Sequence, residues 1–384
     1  MTRRRSLLRA VAGLGAAAIA LVAYLQFLWV PSWDFPPARP FAGSRWFNPY
    51  EGATGEALRV NFHVHARAWG GLAPGKGSSE SIYAAYQALG YDLAAISNYQ
   101  SIAPPPESGL SLPTYEHGIG AGKQHQTVVG ADRVVWLDYP AFQTATHEQH
   151  VVEALRDHAE LVFLNHPGHV DAYSLAEMSE LTGYDGLEIA SRFGNWTGHW
   201  DAALSAGRPV WGVASDDCHD VGKPKYVGRG WLMVHAAART SDAIVAALKV
   251  GRFHAVWTDP GATPNRLLEC RVDRDRLELR CAEPADSIRL IGQGGALLAE
   301  LTSRPDASWP LAPSDSYVRA EVRTRGATLY LNPILRTDGD RPTAPRAVLL
   351  RGPTLLKRIG GAIALLAAAL LGPLRCWRRR VPIA

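Results

Sequence analysis

The sequence predicts an α/β fold whose parallel sheet closes into a barrel, and two observations lead to that prediction. Short apolar runs with strand character alternate with helical patterns from residue 58 to about residue 252. Regular alternation of this kind is typical of a parallel sheet. Potential metal ligands lie mostly where the strand-like runs end, and α/β barrels build their active sites at strand ends. A barrel is therefore favoured over an open, doubly wound sheet, in which ligands from so many strands would converge poorly.

The chain begins with a candidate membrane anchor. Three arginines at residues 3–5 precede an apolar stretch at 7–30, in which Arg9 is the only charge. About 24 helical residues, each rising about 1.5 Å, span a hydrocarbon core of about 30 Å. The stretch exceeds the h-region of an ordinary signal peptide. Residues 1–30 are therefore predicted to be a signal anchor, followed by a linker at 31–57.

Residues 58–255 are predicted to form the barrel. The strand-like runs within it are residues 58–62, 93–97, 128–136, 161–165, 186–190, 210–214 and 231–235. The helical patterns cover residues 78–89, 146–159, 175–181, 196–206 and 241–250. Ser78 or Ser79 can cap the first helix, and Glu80 in its first turn favours that assignment.

After residue 260 the pattern changes to short, half-exposed strands separated by Gly, Asp and Pro turns, which predicts a small all-β domain at 260–340. Cys270 and Cys281 flank a polar turn between two of these runs. A hairpin there would permit a disulfide in an oxidising compartment. Two buried free thiols are the alternative.

The C-terminal region is predicted to contain a second transmembrane helix, at 355–375, followed by a basic tail at 376–384. Arginines outside both apolar segments place both termini in the cytoplasm by the positive-inside rule, with the intervening domain outside. The net charge of +4 includes several of these terminal arginines. Nucleic acid is therefore not expected as a partner, and the membrane is.

The candidate ligands recur as strand-end pairs. His63 and His65 follow the first strand-like run, and alternate strand residues point to the same side. Asp217 and His219 have the same spacing after the apolar run 210–214, and His166 follows another apolar run. Imidazole nitrogens with carboxylate oxygens suit zinc, manganese or iron. One such pair among 13 histidines would be weak evidence, but two pairs predict a metal site.

Two further carboxylates are candidates for the same site. Asp216 precedes Asp217 and could orient a histidine or accept a proton, although capping a loop is an equal alternative. Glu188 follows an apolar residue in another predicted strand, where a solvated strand end is favoured over an inward carboxylate.

The order of motifs from 58 to 252 resembles the polymerase and histidinol phosphatase (PHP) superfamily of metallohydrolases. His63-Val64-His65 resembles its first motif, His166-Pro167 its middle histidine, and the run from Ser215 to His219 its closing Asp-x-His. Tyr115-Glu116-His117-Gly118 and Lys123-Gln124-His125 resemble the stretch that supplies a bridging glutamate and another ligand.

Membership of that superfamily would imply a distorted seven-stranded α/β barrel, divalent ions and hydrolysis, most often of phosphoesters. The later β region, through Tyr317-Val318-Arg319 and Leu331-Asn332-Pro333-Ile334, is similar to the tail of the branch that includes carbamate-ester hydrolases. The expected metal ligands are His63, His65, Glu116, His125, His166, Asp217 and His219.

The chain departs from the superfamily pattern at Ser97-Asn98-Tyr99, which stands where Asp-His is usual. Asparagine and tyrosine are poor metal ligands, so one or two divalent ions (Mn, Zn or Fe) are expected instead of three. The same departure could weaken catalysis.

The resulting functional prediction is a membrane-anchored, metal-dependent phosphoesterase that acts on a small anionic ester through a metal-activated water. Asp216 and Asp217 are its predicted catalytic residues. Arg67 or Lys76, in or beside a glycine-rich loop at 70–77, is expected to reach the substrate. A carboxyl- or carbamate-ester hydrolase using the same metal site is one alternative. A catalytically degenerate binding or sensing module is another.

Overall fold

The chain divides into two units: Met1–Phe35 with Ala347–Ala384, and Pro36–Arg346. The computed structural model describes residues 2–53, 57–139 and 141–378. Three residues of the predicted linker and the end of the predicted basic tail, 379–384, lie outside the described residues.

The helices and strands follow the predicted alternation. The helices are α1 (Thr2–Ala23), α2 (Ser79–Ala88), α3 (Ala145–Arg156), α4 (Leu175–Glu180), α5 (Thr197–Ser205), α6 (Ser241–Lys249) and α7 (Arg351–Arg378). The strands are β1 (Trp33–Asp34), β2 (Arg45–Phe47), β3 (Leu58–Asn61), β4 (Leu93–Ala94), β5 (Thr114–His117), β6 (Gln126–Val129), β7 (Leu161–Leu164), β8 (Gly186–Ser191), β9 (Gly194–Asn195), β10 (Trp211–Ala214), β11 (Gly230–Val234), β12 (Phe253–Thr258), β13 (Leu267–Asp273), β14 (Arg276–Ile291), β15 (Leu297–Pro310), β16 (Tyr317–Thr324), β17 (Ala327–Thr337) and β18 (Val348–Leu349).

Two mixed sheets organise the unit Pro36–Arg346. One has the strand order β10-β8-β7-β6-β5, with β9 paired to β8. The other has the order β13-β14-β16-β17-β12-β11-β3-β4, with β15 on β14 and β2 on β17. The predicted α/β class is confirmed, and β2 shows that part of the predicted linker belongs to a sheet.

The prediction of a parallel sheet is wrong at two strands: β11 runs antiparallel to β3, and β6 runs antiparallel to both β5 and β7. A parallel crossover needs about a dozen residues or more, and only residues 118–125 connect β5 to β6. Strand β6 is also shorter than the predicted run 128–136. It ends before Gly130, whose φ of 66° lies in the left-handed region that glycine adopts without strain.

Single bridges link the two sheets at two places. Val64 pairs with Cys218, just beyond the ends of β3 and β10, and Tyr99 pairs with Glu116 of β5. The carboxyl ends of β3 and β10 therefore lie side by side.

The helices pack on these strands through the predicted apolar faces. Ser78 caps α2, because its Oγ accepts a hydrogen bond from the Ser81 amide at 3.3 Å. Ile82 and Tyr86, one turn apart on this helix, are buried. In α3 the same role falls to Val151, Val152 and Leu155, none of which is exposed to solvent.

The strands after residue 260 extend the second sheet, since β17 pairs with β12 along five residue pairs. Strands β14 and β15 are longer than the predicted runs, with 16 and 14 residues. Across the predicted hairpin, Cys270 faces Leu279 and Cys281 faces Leu267. The two cysteines are thus out of register and remain free thiols, as in the second alternative, although Cys281 is buried and Cys270 only partly so.

The two ends of the chain form their own unit. Helix α1 continues as a π-helical segment, Tyr24–Trp29, and β1 pairs antiparallel with β18. Arg358 of α7 donates from Nε to the Trp29 carbonyl at 2.7 Å. Within the described residues, one segment, Val11–Trp29, is long and apolar enough to cross a membrane, with a mean hydropathy of 2.0. Helix α7 covers the predicted second span, whose insertion stays a prediction.

Candidate metal centre

The structure brings all seven predicted ligands to one edge of the strands. His125 would lie at the opposite end of a parallel β6, but β6 is antiparallel and its start is beside the end of β7. Four overlapping groups of ligand atoms, each within 4.8 Å, form what we call the ligand cup: His63, His65 and Glu116; His63, His166 and Asp217; His65, Asp217 and His219; and Glu116, His125 and His166.

Glu116 is the central carboxylate of the ligand cup and is inaccessible to solvent. Its Oε1 lies 2.9 Å from His125 Nδ1 and 3.3 Å from His63 Nε2, and its Oε2 lies 3.0 Å from His65 Nε2. Asn165, which follows β7, donates from Nδ2 to Oε1 at 3.1 Å. Glu116 therefore touches ligands from both sheets, as a bridging carboxylate must.

Asp217 faces the same histidines from the end of β10. Its Oδ1 is 3.3 Å from His63 Nε2, 3.2 Å from His65 Nε2 and 3.4 Å from His219 Nδ1. Asp217 and His166 both have left-handed backbones, with φ of 43° and 31°. Such conformations cost about 1–3 kcal/mol each and concentrate at functional sites.

Unpartnered atoms test whether the ligand cup fits a metal ion. Five of its atoms are buried without a hydrogen bond: His63 Nε2, His65 Nε2, His166 Nδ1, Glu116 Oε2 and Asp217 Oδ1. Buried polar atoms are normally satisfied because desolvation without a partner is costly. Imidazole nitrogens and carboxylate oxygens together suit Zn, Mn or Fe. The residues therefore fit a divalent metal ion.

The charges in the ligand cup agree with that fit. Burial lowers the pKa of His63, but Glu116 and Asp217 oppose it and raise that pKa well above its usual value. Burial raises the pKa of Glu116, but His63 and His125 hold it well below its usual range. Burial and the neighbouring His65 lower the pKa of His219 to about 4. The acids are thus ionised at neutral pH and His219 is neutral, as ligands must be, whereas the same acids favour a proton on His63 that a bound metal ion would have to displace.

Glu188 orients the first histidine, a role that the sequence analysis missed. Its Oε1 is 3.2 Å from His63 Nδ1, and its Oε2 accepts a hydrogen bond from the His166 amide at 2.8 Å. Ser215 also donates to Glu188 Oε1. The expectation of a solvated strand end was wrong, because Glu188 is buried. A carboxylate on Nδ1 leaves Nε2 free for a metal. A lone acid within the apolar run of β8 was the available signal.

Asp216 lies against a loop and not among the grouped ligands. Its carboxylate accepts hydrogen bonds from Asn61 Nδ2 at 3.0 Å, from the Tyr86 hydroxyl at 2.7 Å and from the amides of residues 228–230. Asn61 in turn accepts from the His63 amide at 3.0 Å. These contacts match the loop-capping alternative. Asp216 also positions His63 indirectly, through Asn61.

Tyr99 lies in the Ser97-Asn98-Tyr99 segment, where the sequence departs from the superfamily pattern. Its ring stacks on His65 with centroids 4.7 Å apart and approaches His125 edge-on at 5.3 Å. Burial, then the charges of Glu116 and Asp217, raise the pKa of Tyr99. An aromatic ring with a neutral hydroxyl therefore borders the ligand cup where the superfamily usually has a ligand.

Arg192 lies beside Asp217 and was not among the predicted site residues. Its Nε is 3.9 Å from Asp217 Oδ2 and has no hydrogen-bond partner. The guanidinium lies 4.4 Å from the ring centroid of Phe193. The predicted substrate-binding residues are exposed: Arg67 contacts the Gly70 carbonyl at 3.5 Å, and Lys76 pairs with Asp220 at 3.5 Å.

Comparisons with known proteins find similar chains among solved structures. No family model matches the sequence, and no curated protein matches it. A two-domain protein from Bacteroides vulgatus, containing a predicted PHP-like metal-dependent phosphoesterase, is 13% identical with a TM-score of 0.40. The match covers 83% of this chain and 99% of that one.

Proposed function

We propose that this protein is a membrane-anchored, divalent-metal-dependent phosphoesterase of the PHP type. One observation carries the proposal: a buried group of unpartnered nitrogen and oxygen atoms has a partly exposed arginine at its edge. The first feature suits metal ions and the second suits an anionic substrate.

The strand pairing supports a distorted seven-stranded barrel. The pairs β3–β4, β5–β6–β7–β8 and β8–β10 account for seven strands. The bridges Tyr99–Glu116 and Val64–Cys218 join the free edges of this set. A ring closed by single bridges is irregular, as the superfamily resemblance leads us to expect.

The grouped ligands suggest two ion positions that share Glu116. One is formed by His63 and His65 with Glu116, and the other by His125 and His166 with Glu116. A divalent ion would lower the pKa of bound water to about 7 and polarise a phosphoryl oxygen. Glu188 would hold His63 in the tautomer that presents Nε2. Asp217, with its lowered pKa, would stay ionised and accept a hydrogen bond from the attacking water.

Arg192 favours a phosphoester over a carboxyl ester. A guanidinium presents a planar fork of donors that matches phosphate bidentately. The rings of Phe193 and Tyr226 flank the Arg192 guanidinium, with ring centroids 4.4 and 5.5 Å away. These contacts limit rotation of the guanidinium. A neutral carboxyl or carbamate ester would leave this partly buried cation without an anionic partner other than Asp217.

The test is metal analysis of the full chain in detergent, with assays on para-nitrophenyl phosphate, its bis-substituted diester and para-nitrophenyl acetate. We expect Asp217→Ala to release at least one ion and to abolish turnover. The exposed Asp132→Ala variant is the control and should keep both. Full activity in Asp217→Ala would refute the metal assignment. Bound metal without turnover of any ester would favour the degenerate module.

Arg192→Met separates the two ester classes. We expect it to retain its metal and to lose about 10²–10³-fold in phosphoester turnover, the effect of removing one preorganised donor. Hydrolysis of para-nitrophenyl acetate should change much less. If acetate is the better substrate and Arg192→Met does not affect phosphoester turnover, the carboxyl-ester alternative replaces this proposal.

The membrane part of the proposal rests on the segment Val11–Trp29. Antiparallel pairing of β1 with β18 supports placing both chain ends on one side, the cytoplasm. Reporter fusions at each terminus should give the same side. Opposite sides would overturn the proposed topology.

A further inference from the structure

An apolar cavity of about 480 Å³ borders the ligand cup. His125 and Tyr99 belong to its wall, so the cavity adjoins the ligands directly. The remaining lining is mostly hydrophobic: Trp69, Leu72, Ala73, Pro74, Ile119 and Trp136, with Gln100, Gly118 and Lys123.

The hydrophobic side chains on this wall are unusually exposed. Leu72 is 92% exposed and Trp136 62% exposed, with Trp69 and Ile119 also open to solvent. Trp69 and Trp136 meet edge to face with ring centroids 6.0 Å apart. Exposed apolar side chains grouped beside a polar site are typical of ligand-binding grooves.

The backbone holds these side chains in place. Trp69 donates from Nε1 to the Tyr99 carbonyl at 2.8 Å. Trp69, Gln100 and Lys123 all have left-handed backbones, with φ of 54°, 47° and 60°. Three strained non-glycine residues on one wall indicate a fixed surface, because such conformations persist where the surroundings over-determine them.

We infer that this cavity binds the apolar leaving group of the substrate ester, an inference that rests on the proposed function. A phosphoryl group held at the ligand cup near Arg192 would place its ester substituent at the edge lined by His125 and Tyr99. A small or charged alcohol would leave Trp69, Trp136 and Leu72 in water. The substrate class is therefore a phosphoester of an alcohol with a large hydrophobic part, either a ring or an alkyl chain.

The experiment compares ethyl, hexyl and 3-phenylpropyl phosphates with the metal-loaded full chain in one detergent. All three are primary alkyl esters, so leaving-group acidity is nearly constant. We expect kcat/KM to rise about tenfold or more from ethyl to the larger esters, because burial of the added apolar area stabilises the bound state. A preference for phenylpropyl over hexyl indicates a ring, and the reverse order indicates a chain.

Trp136→Ala should lower this preference at least about fivefold, and Ile119→Ser, also exposed, gives an independent check. The matched control is Leu268→Ala, an exposed leucine on β13, which should keep the preference and corrects for detergent partitioning. A ratio near one, or a ratio that neither cavity variant changes, overturns the inference.

Binding of the three matching phosphonates, measured by calorimetry, separates this inference from the proposed function. Selective binding of the larger phosphonates, lost in Trp136→Ala, supports the cavity even if no ester is hydrolysed. Equal affinity for all three overturns it even if phosphoester hydrolysis is observed.

Discussion

Two buried clusters of charge in the same unit are built on opposite plans. The ligand cup contains buried nitrogen and oxygen atoms that make no hydrogen bond. The second cluster, which we call the ion network, consists of Asp201 on α5 with Arg319 and Glu321 on β16. Each of its charges has a partner of opposite sign.

The charged groups of the ion network are hydrogen-bonded to one another. Arg319 donates from Nε and Nη2 to the two Asp201 oxygens, both at 2.7 Å, and from Nη1 to Glu321 Oε1 at 2.8 Å. Tyr317 donates to Asp201 at 3.0 Å, and Arg323 donates to Glu321 at 2.6 Å. The ion pairs with Asp201 and Glu321 outweigh burial and raise the pKa of Arg319, so the arginine stays charged.

The difference between the clusters indicates their roles. A buried charge with a complete set of partners fastens one element to another, here α5 to β16. Buried ligand atoms without partners are tolerated when a ligand supplies what is missing. Burial alone therefore does not mark a functional site, whereas several potential ligands grouped together with unbonded buried atoms indicate one.

The largest expected effect is on the ion network. Arg319→Met leaves Asp201 buried without its cation, while Glu321 keeps Arg323. Loss of the Asp201 partner costs about 3–5 kcal/mol in the free energy of unfolding. Denaturant unfolding measures the loss. Arg323→Met is the control, because this half-exposed arginine contributes at most about 1 kcal/mol. Equal losses of unfolding free energy in the two variants would mean that Arg319 does not hold the network together.

A chelator should act on the ligand cup and not on the ion network. An ion that binds only the folded state at 100 times its dissociation constant stabilises it by about 2.7 kcal/mol. EDTA should therefore lower the melting temperature of the parent protein. Asp217→Ala, which lacks a ligand, should respond much less, and an equal response in both would contradict the site.

A substitution at Glu188 tests how the histidines of the ligand cup are oriented. Glu188→Gln should weaken metal affinity about 10–100-fold, the usual effect of removing a carboxylate behind a ligating histidine. That corresponds to about 1.4–2.7 kcal/mol, measured by metal titration with a competing chelator. Glu153→Gln, on the surface of α3, is the control. Unchanged affinity in Glu188→Gln would mean that another group fixes the His63 tautomer.

Glu148 is a third kind of buried charge, since both of its carboxylate oxygens are buried without a hydrogen bond. Burial, then repulsion from Glu177 and Glu180, raises its pKa well above 4.5. A raised pKa in the folded state means that stability is complete below the unfolded value and falls as pH rises through the folded one.

Glu148→Gln should remove that loss. Its stability relative to the parent should grow from pH 5 to pH 8 and reach about 1 kcal/mol or more, as measured by thermal unfolding across pH. A difference that is constant with pH would show that Glu148 titrates normally.

The sequence by itself determined the ligand pairs that are local in the chain and the chemical types of the ligands. His63 and His65 point to the same side because successive strand residues alternate. Asp217 and His219, also two residues apart, follow the end of an apolar run. The helix that Ser78 caps was also predictable, because capping depends on neighbours within one turn.

Only the tertiary structure decided how those pieces are completed. The reversed direction of β6 brings His125 beside Glu116, and the pairing of β12 with β17 joins two regions that the sequence separates. Glu188 and Arg192 acquire their positions from partners distant in the chain. Periodicity and capping are local properties, whereas strand pairing and the satisfaction of buried charge depend on residues far apart in sequence.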